Sequence, residues 1–270
     1  MKRINITTTA VALATALIHA PATAQSDRPK LHVNPRWKEC SFQLDSSLTQ
    51  SAWRQFTREA GLVAYFRPLD DAEPMGRGNF EVSMVRWKTG IHDRDDAWND
   101  TFVHPDSTHW LSEGSGLKFP GLMLRAGVTG TTDVGLYFTK NPRANYGFLG
   151  GQLQQRLAGG ASDDWAVSTR ASFMSLYGPE DLDFSVYGGD VLASKSLKLG
   201  GWATVSPYAG VSIYLASSHE KSPVVNLDDE RVLGAQANVG AAIQISKARL
   251  AVEYNMAAVR TFSLKVGIGR

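Results

Sequence analysis

From residue 231 to the end, the chain alternates. Leu233, Ala235, Ala237, Val239, Ala241, Ile243 and Ile245 fill one phase, and Gly234, Gln236, Asn238, Gly240, Ala242, Gln244 and Ser246 fill the other. A two-residue period is that of a strand with one apolar and one polar face. After a turn at Ser246-Lys247, Leu250, Val252, Tyr254 and Met256 oppose Arg249, Glu253 and Asn255. Phe262, Leu264, Val266 and Ile268 then oppose Ser263, Lys265, Gly267 and Gly269. The alanine content suggests a helix, but helical spacing from Leu233 would put Gln236, Gly240 and Gln244 on the apolar stripe.

The same pattern runs upstream. Phe80, Val82 and Met84 begin a strand that reaches about residue 90, although Val85 and Trp87 blur its alternation. Leu122, Leu124, Ala126 and Val128 alternate with Met123, Arg125 and Gly127, and Val134, Leu136 and Phe138 with Asp133, Gly135, Tyr137 and Thr139. Leu149, Leu153 and Leu157 oppose Gln152, Gln154 and Arg156; Trp165, Val167, Ala171 and Phe173 oppose Ser168, Arg170 and Ser172. Leu182, Phe184 and Val186 begin another strand, and residues 200–218 alternate Val205, Ala209, Val211, Ile213 and Leu215 with Tyr208, Ser212 and Tyr214. Between them, short turns at 129–132, 159–164, 195–201 and 246–247 take turns with loops at 92–118, 141–145, 177–181 and 217–230. The connection at 259–260 is the short exception on the loop side. Regular long-short alternation is the habit of outer-membrane barrels, whose short turns lie in the periplasm and whose loops lie outside. The count from Phe80 is about ten strands, or about twelve if residues 60–67 join the wall, since parity is even. The predicted fold is therefore all-β: a transmembrane antiparallel up-and-down barrel over residues 79–270, with a short N-terminal helical segment.

The first residues read differently. Lys2 and Arg3 precede an apolar run over residues 10–17, and Ala22-Thr23-Ala24 fits a cleavage site, so residues 1–24 are expected to be a secretory signal peptide. Residues 25–78 are expected to form an N-terminal periplasmic or plug segment. Within it, Ser47 is positioned to cap a short helix carrying Leu48, Ala52, Trp53 and Phe56 on one face. A helix packed on the rim is preferred over a plug, because isolated short helices gain stability mainly from packing. Residues 61–69 are expected to be extended and to end at Pro68. The chain has 28 Lys and Arg against 26 Asp and Glu, and removing Lys2 and Arg3 with the signal leaves 26 against 26. A balanced charge gives no footing for nucleic acid or a polybasic membrane patch. Cys40 is the only cysteine, which excludes an intrachain disulfide. No segment after the signal has the roughly 20 apolar residues of a membrane helix. A soluble periplasmic sandwich is the alternative home for exported alternating strands.

Residues 80–270 resemble a Gram-negative outer-membrane β-barrel protein, porin-like in architecture and without a specific named family. The phrases Trp98-Asn99-Asp100-Thr101-Phe102, Asn145-Tyr146-Gly147-Phe148-Leu149-Gly150-Gly151 and Ser217-Ser218-His219-Glu220 look motif-like, with no activity attached. The C-terminal Gly267-Ile268-Gly269-Arg270 departs from the terminal aromatic of such barrels. The resemblance implies the cell outer membrane, with its lipid and the barrel-assembly machinery as partners.

The polar phase carries Arg125, Asp133, Arg156, Arg170, Arg249, Glu253 and Lys265, which in a barrel face the lumen. Charged walls set which solutes enter a conduit. Alternatively, these groups pair across the lumen and fill it, because a barrel of about ten strands leaves little open space. If the barrel conducts, reversing Arg125 and Arg170 to Glu lowers its anion preference. His104, His109 and the aspartates of the 92–118 loop have no metal-site spacing, so no metal and no cofactor is expected. Ser218-His219-Glu220 has the residue types of a hydrolase without the spacing, since neighbours on a strand point to opposite faces. Trp165, Trp202, Tyr254 and Phe262 suit an interfacial aromatic girdle. The expected function is passive passage or binding of a small solute, not catalysis. A closed structural or surface-interaction barrel is the alternative, and a membrane-embedded hydrolase the third reading.

Overall fold

A computed structural model of the chain describes residues 41–103, 117–140, 144–160 and 163–269. The signal peptide, His104 and His109 lie outside the described residues. In chain order the elements are β1 (Ser41–Phe42), α1 (Gln50–Ala64), β2 (Phe80–Thr89), α2 (Asp96–Asn99), β3 (Phe102–Val103), β4 (Leu117–Gly127) and β5 (Thr132–Lys140). There follow β6 (Gly147–Gly159), β7 (Trp165–Tyr177), β8 (Leu182–Lys195), β9 (Leu197–Leu199), β10 (Ala203–Glu220), β11 (Glu230–Ile245), β12 (Ala248–Met256) and β13 (Thr261–Gly269).

Ten of these strands form a closed antiparallel ring. Sequential neighbours pair from β4 to β8; β10 pairs with β8 and β11, and β13 returns to β2. The seam is in full register, from Thr261 opposite Thr89 to Gly269 opposite Glu81. The short β9 pairs only with the start of β10, and β1 and β3 make a separate two-stranded patch among the loops. Closure satisfies the ladder hydrogen bonds all the way round, which is what lets strands cross a bilayer.

The alternation places the phases as their polarity demands. Met84, Leu122, Leu136, Val211, Ile213, Leu233 and Ile268 are among the apolar side chains that stand exposed on the outer face. So do Trp165, Trp202 and Phe262. An apolar belt around a closed ladder is the surface of a membrane barrel, since water-soluble monomers rarely expose extended apolar patches. The protein is a ten-stranded outer-membrane β-barrel, and among the described residues no helix is long and apolar enough to cross a membrane.

The inside differs between its two ends. Toward the turns the inward phase is polar and charged. Toward the loops it carries Val85, Trp87, Phe148, Met174, Leu176, Phe184 and Val186, all buried. Leu182, Phe184 and Val186 thus face inward, while Tyr187 and Val191 take the outer face of β8. An apolar inner wall is stable only when something apolar fills the lumen, and here that is the N-terminal segment.

α1 lies inside the barrel, not on the rim. Thr49, rather than Ser47, caps it, its side chain accepting from the Ala52 amide. Trp53, Phe56, Leu62 and Val63 are almost fully buried, and the Thr57 and inward Ser218 hydroxyls hydrogen-bond at 2.6 Å. The helix runs on through residue 64, so residues 61–64, expected to be extended, are helical. The wall therefore needs no further strand and the count stays at ten. The chain enters among the loops, where the Phe42 amide donates to Asn145 and the Leu44 amide to Asp181. It leaves at the turns, where the Gly78 amide donates to the Gly127 carbonyl. With loops outside and turns in the periplasm, the described part of the segment ends on the periplasmic side, near Gly78. Its described start, at Ser41, is on the outer side.

Candidate functional site

The site is the socket in which this segment sits. Residues 65–75 run without regular structure from α1 toward the turn end and meet the charged inner wall. Asp70 is the hub. Its Oδ2 accepts from Arg125 and, at 2.6 Å, from Lys265. Arg125 also reaches Asp133 at 2.6 Å, and Lys265 reaches Glu81 at 2.9 Å. Arg249 sits 3.4 Å from Glu81 and 3.9 Å from Asp70. Around the ring these groups come from β12, β13, β2, β4 and β5, so the register of the closing seam is what brings them together.

A second cluster holds the level above. Arg170 pairs with Asp190 at 2.8 Å, and it donates to Gln152 at 2.7 Å and to the Phe66 carbonyl. Asp190 also accepts from the Tyr65 hydroxyl at 2.7 Å and the Ser212 hydroxyl at 2.6 Å. Tyr65 fits because β8 carries Gly188 beneath it: a Cβ at that position would stand 2.5 Å from the Tyr65 ring. Arg67 crosses to β12 and β13, donating to Asn255 at 3.1 Å and Thr261 at 2.8 Å, and folds back on the Leu62 carbonyl at 2.6 Å. Glu253 accepts from the Leu69 amide, the Tyr208 hydroxyl and Asn255. Leu69 itself holds a left-handed φ of 47°, a conformation that non-glycine residues adopt when their surroundings over-determine it.

All seven lumen residues read from the sequence point inward, and each of them meets the segment 66–75. Arg125, Lys265 and Arg249 meet Asp70; Arg170 meets Phe66; Glu253 meets Leu69; Asp133 accepts from the Met75 amide at 2.9 Å; Arg156 pairs with Glu73 at 2.5 Å. They line a lumen, but an occupied one. Sequence reading did not pick out their partners Asp70, Glu81, Asp190 and Arg67. Glu81 and Asp190 carried a signal, for both lie in the polar phase of a strand. Asp70 and Arg67 carried none, because nothing in residues 61–78 marks that stretch as the filling of a barrel.

At the loop end a third cluster fastens the helix. Glu59 of α1 accepts from the Trp98 indole at 2.8 Å and the His92 amide at 3.0 Å, and it faces His92 Nδ1 at 2.5 Å. Both partners come from the described part of the 92–118 loop. The Glu59 carboxylate raises the pKa of His92, by hydrogen bond first and by charge second. Ser218, His219 and Glu220 are not assembled for hydrolysis. Ser218 bonds Thr57 inside the barrel, His219 faces Asp229 at 2.6 Å on the exposed rim, and Glu220 accepts from the Leu227 amide. Among the described residues no group of three or more metal-ligating side chains could hold an ion. At the turn end the lumen opens into a cavity of about 350 Å³ lined by Asp71, Glu73, Ser206, Lys247 and Arg249 among others.

No protein-family profile matches the chain, and no curated protein matches it. Among solved structures, an outer membrane channel from Pseudomonas putida F1 is 11% identical, with a TM-score of 0.42, covering 76% of this chain and 100% of its own. The β domain of the Bordetella autotransporter BrkA is 13% identical, with a TM-score of 0.41, covering 72% and 98%. Ail, the attachment invasion locus protein of Yersinia pestis, is 12% identical, with a TM-score of 0.30, covering 72% and 99%. The assignment to the outer membrane rests on the closed ladder and its apolar belt, not on these likenesses.

Proposed function

We propose that this protein is a closed, self-plugged barrel whose working surface is its loop end, and that it is neither an open solute channel nor an enzyme. The observation that carries this reading is the segment 42–75 inside the lumen. Every wall charge that would select a solute is already paired to that segment or to a wall partner. Passive passage would require the whole segment to leave, breaking the buried ion pairs of Asp70 and exposing Trp53, Tyr65 and Phe66 to water. Breaking even one buried pair costs about 3–5 kcal/mol. The outer belt fits membrane lipid as the lateral partner, and the strands fit delivery by the barrel-assembly machinery.

Single-channel recording of purified protein in a planar bilayer tests the proposal, with the heat-shifted gel band as the folding control. Folded protein should give no conductance steps. Discrete, reproducible steps would restore the solute-channel reading.

A further inference from the structure

Among the described residues several buried polar side chains have no partner, and two of them stand together. Gln236 and Asn238 stand two residues apart on β11, both inward and at most 5% exposed. Neither amide has a partner for its nitrogen or its oxygen among the described residues. The side-chain hydrogen bonds of their strand neighbours run elsewhere. Ser212, opposite Gln236, donates to Asp190. Asn255, opposite Asn238, accepts from Arg67 and donates to Glu253. On the other flank Asn238 faces Gly210, where a Cβ would lie 2.7 Å from its Oδ1, so this wall offers backbone and no side chain. Buried amides are normally satisfied, and an orphan in a polar interior calls for a ligand.

The chemistry of that ligand is narrow. The charged groups nearby are already committed: Asp190 to Arg170, Tyr65 and Ser212, and Glu253 to Leu69, Tyr208 and Asn255. Each of these carboxylates already holds three or more hydrogen-bond donors. What remains free is two amide nitrogens that donate and two amide oxygens that accept, one of each on either residue. A small neutral molecule able to donate and accept at once satisfies both, and a buried water makes two to four such bonds. Tyr208, over Gly240, and the small side chains Ala242 and Ala251 pack between this level and the turn-side cavity.

We infer that Gln236 and Asn238 form a built internal water site, sealed from the turn-side cavity by Tyr208. The site presupposes a filled lumen, which conductance measures independently.

A high-resolution crystal structure of the full-length protein is the first test. Density within hydrogen-bond distance of both amides is expected, and amides packed dry against protein would overturn the inference. The double variant Gln236→Leu with Asn238→Leu is the second, followed by thermal unfolding and magnetic relaxation dispersion of water. The wild type should hold more long-lived waters and unfold at the higher temperature. An unchanged water count, or a variant that is more stable because two unsatisfied amides are gone, would overturn it. Should the variant not fold, the wild-type crystal alone decides.

Discussion

Asp70 shows how one residue fastens a segment to three wall strands, β4, β12 and β13. Its Oδ2 accepts from Arg125 and Lys265 while its Oδ1 accepts from the Asp71 amide, and it is 2% exposed. Asp70→Asn keeps the shape but removes the charge that neutralises two buried cations. A loss of about 3–5 kcal/mol is expected, read as a lower urea midpoint in detergent micelles. A midpoint unchanged from the wild type would show that Asp70 is not the hub. The same pairing changes the meaning of reversing Arg125 and Arg170. Each is buried against its own carboxylate, so the double Glu variant should fail to fold before any selectivity could be read. His92 acts at the other end and titrates. Its folded pKa lies above the ordinary 6.5, so its tie to Glu59 stabilises fully below that value and fades as pH rises through the raised one. His92 is largely exposed, and solvent screening keeps the effect small. The difference in thermal midpoint between wild type and His92→Gln should therefore shrink from about pH 6 to about pH 9. A difference that grows with pH would contradict the assignment.

At the scale of elements, α1 is held by the apolar half of the lumen more than by its own propensity. Phe56, at 1% exposure, meets Phe42, Trp53, Trp98 and Phe184 ring to ring. Phe56→Ala should cost about 3–5 kcal/mol and lower the temperature at which the compact gel band is lost. An equally stable variant would mean the helix is not part of the core. The strands were legible because a period of two survives any partner, and the outward phase must match lipid whatever lies inside. The helix face at Ala52, Trp53 and Phe56 was legible too, but not its destination. Periodicity shows that a face is apolar and is silent on what covers it. Val85 and Trp87, which blurred the alternation of β2, and Leu182, Phe184 and Val186 of β8 were the missing half of that pair. These are apolar residues on an inner wall, and they make sense only opposite a buried helix. The wall charges were legible by phase alone; their partners in residues 66–75 were not, because ion pairs across more than fifty residues leave no local pattern.

For the whole molecule, the barrel and its filling are one fold. The apolar belt meets lipid, the loop half of the lumen is a hydrophobic core, and the turn half is an ionic socket. A ten-stranded ring closes around a single helix and the chain that follows it, with a cavity at the turn side. The decisive contact is between Thr57 on α1 and Ser218 on β10, whose hydroxyls lie 2.6 Å apart inside the wall. Cysteines at both positions, with Cys40 changed to Ser, should form an intramolecular disulfide under mild oxidation in protein whose heat-shifted band shows it folded. Efficient cross-linking in the folded barrel is the predicted result. Folded protein in which the two thiols stay free would place the helix elsewhere and contradict a self-plugged lumen.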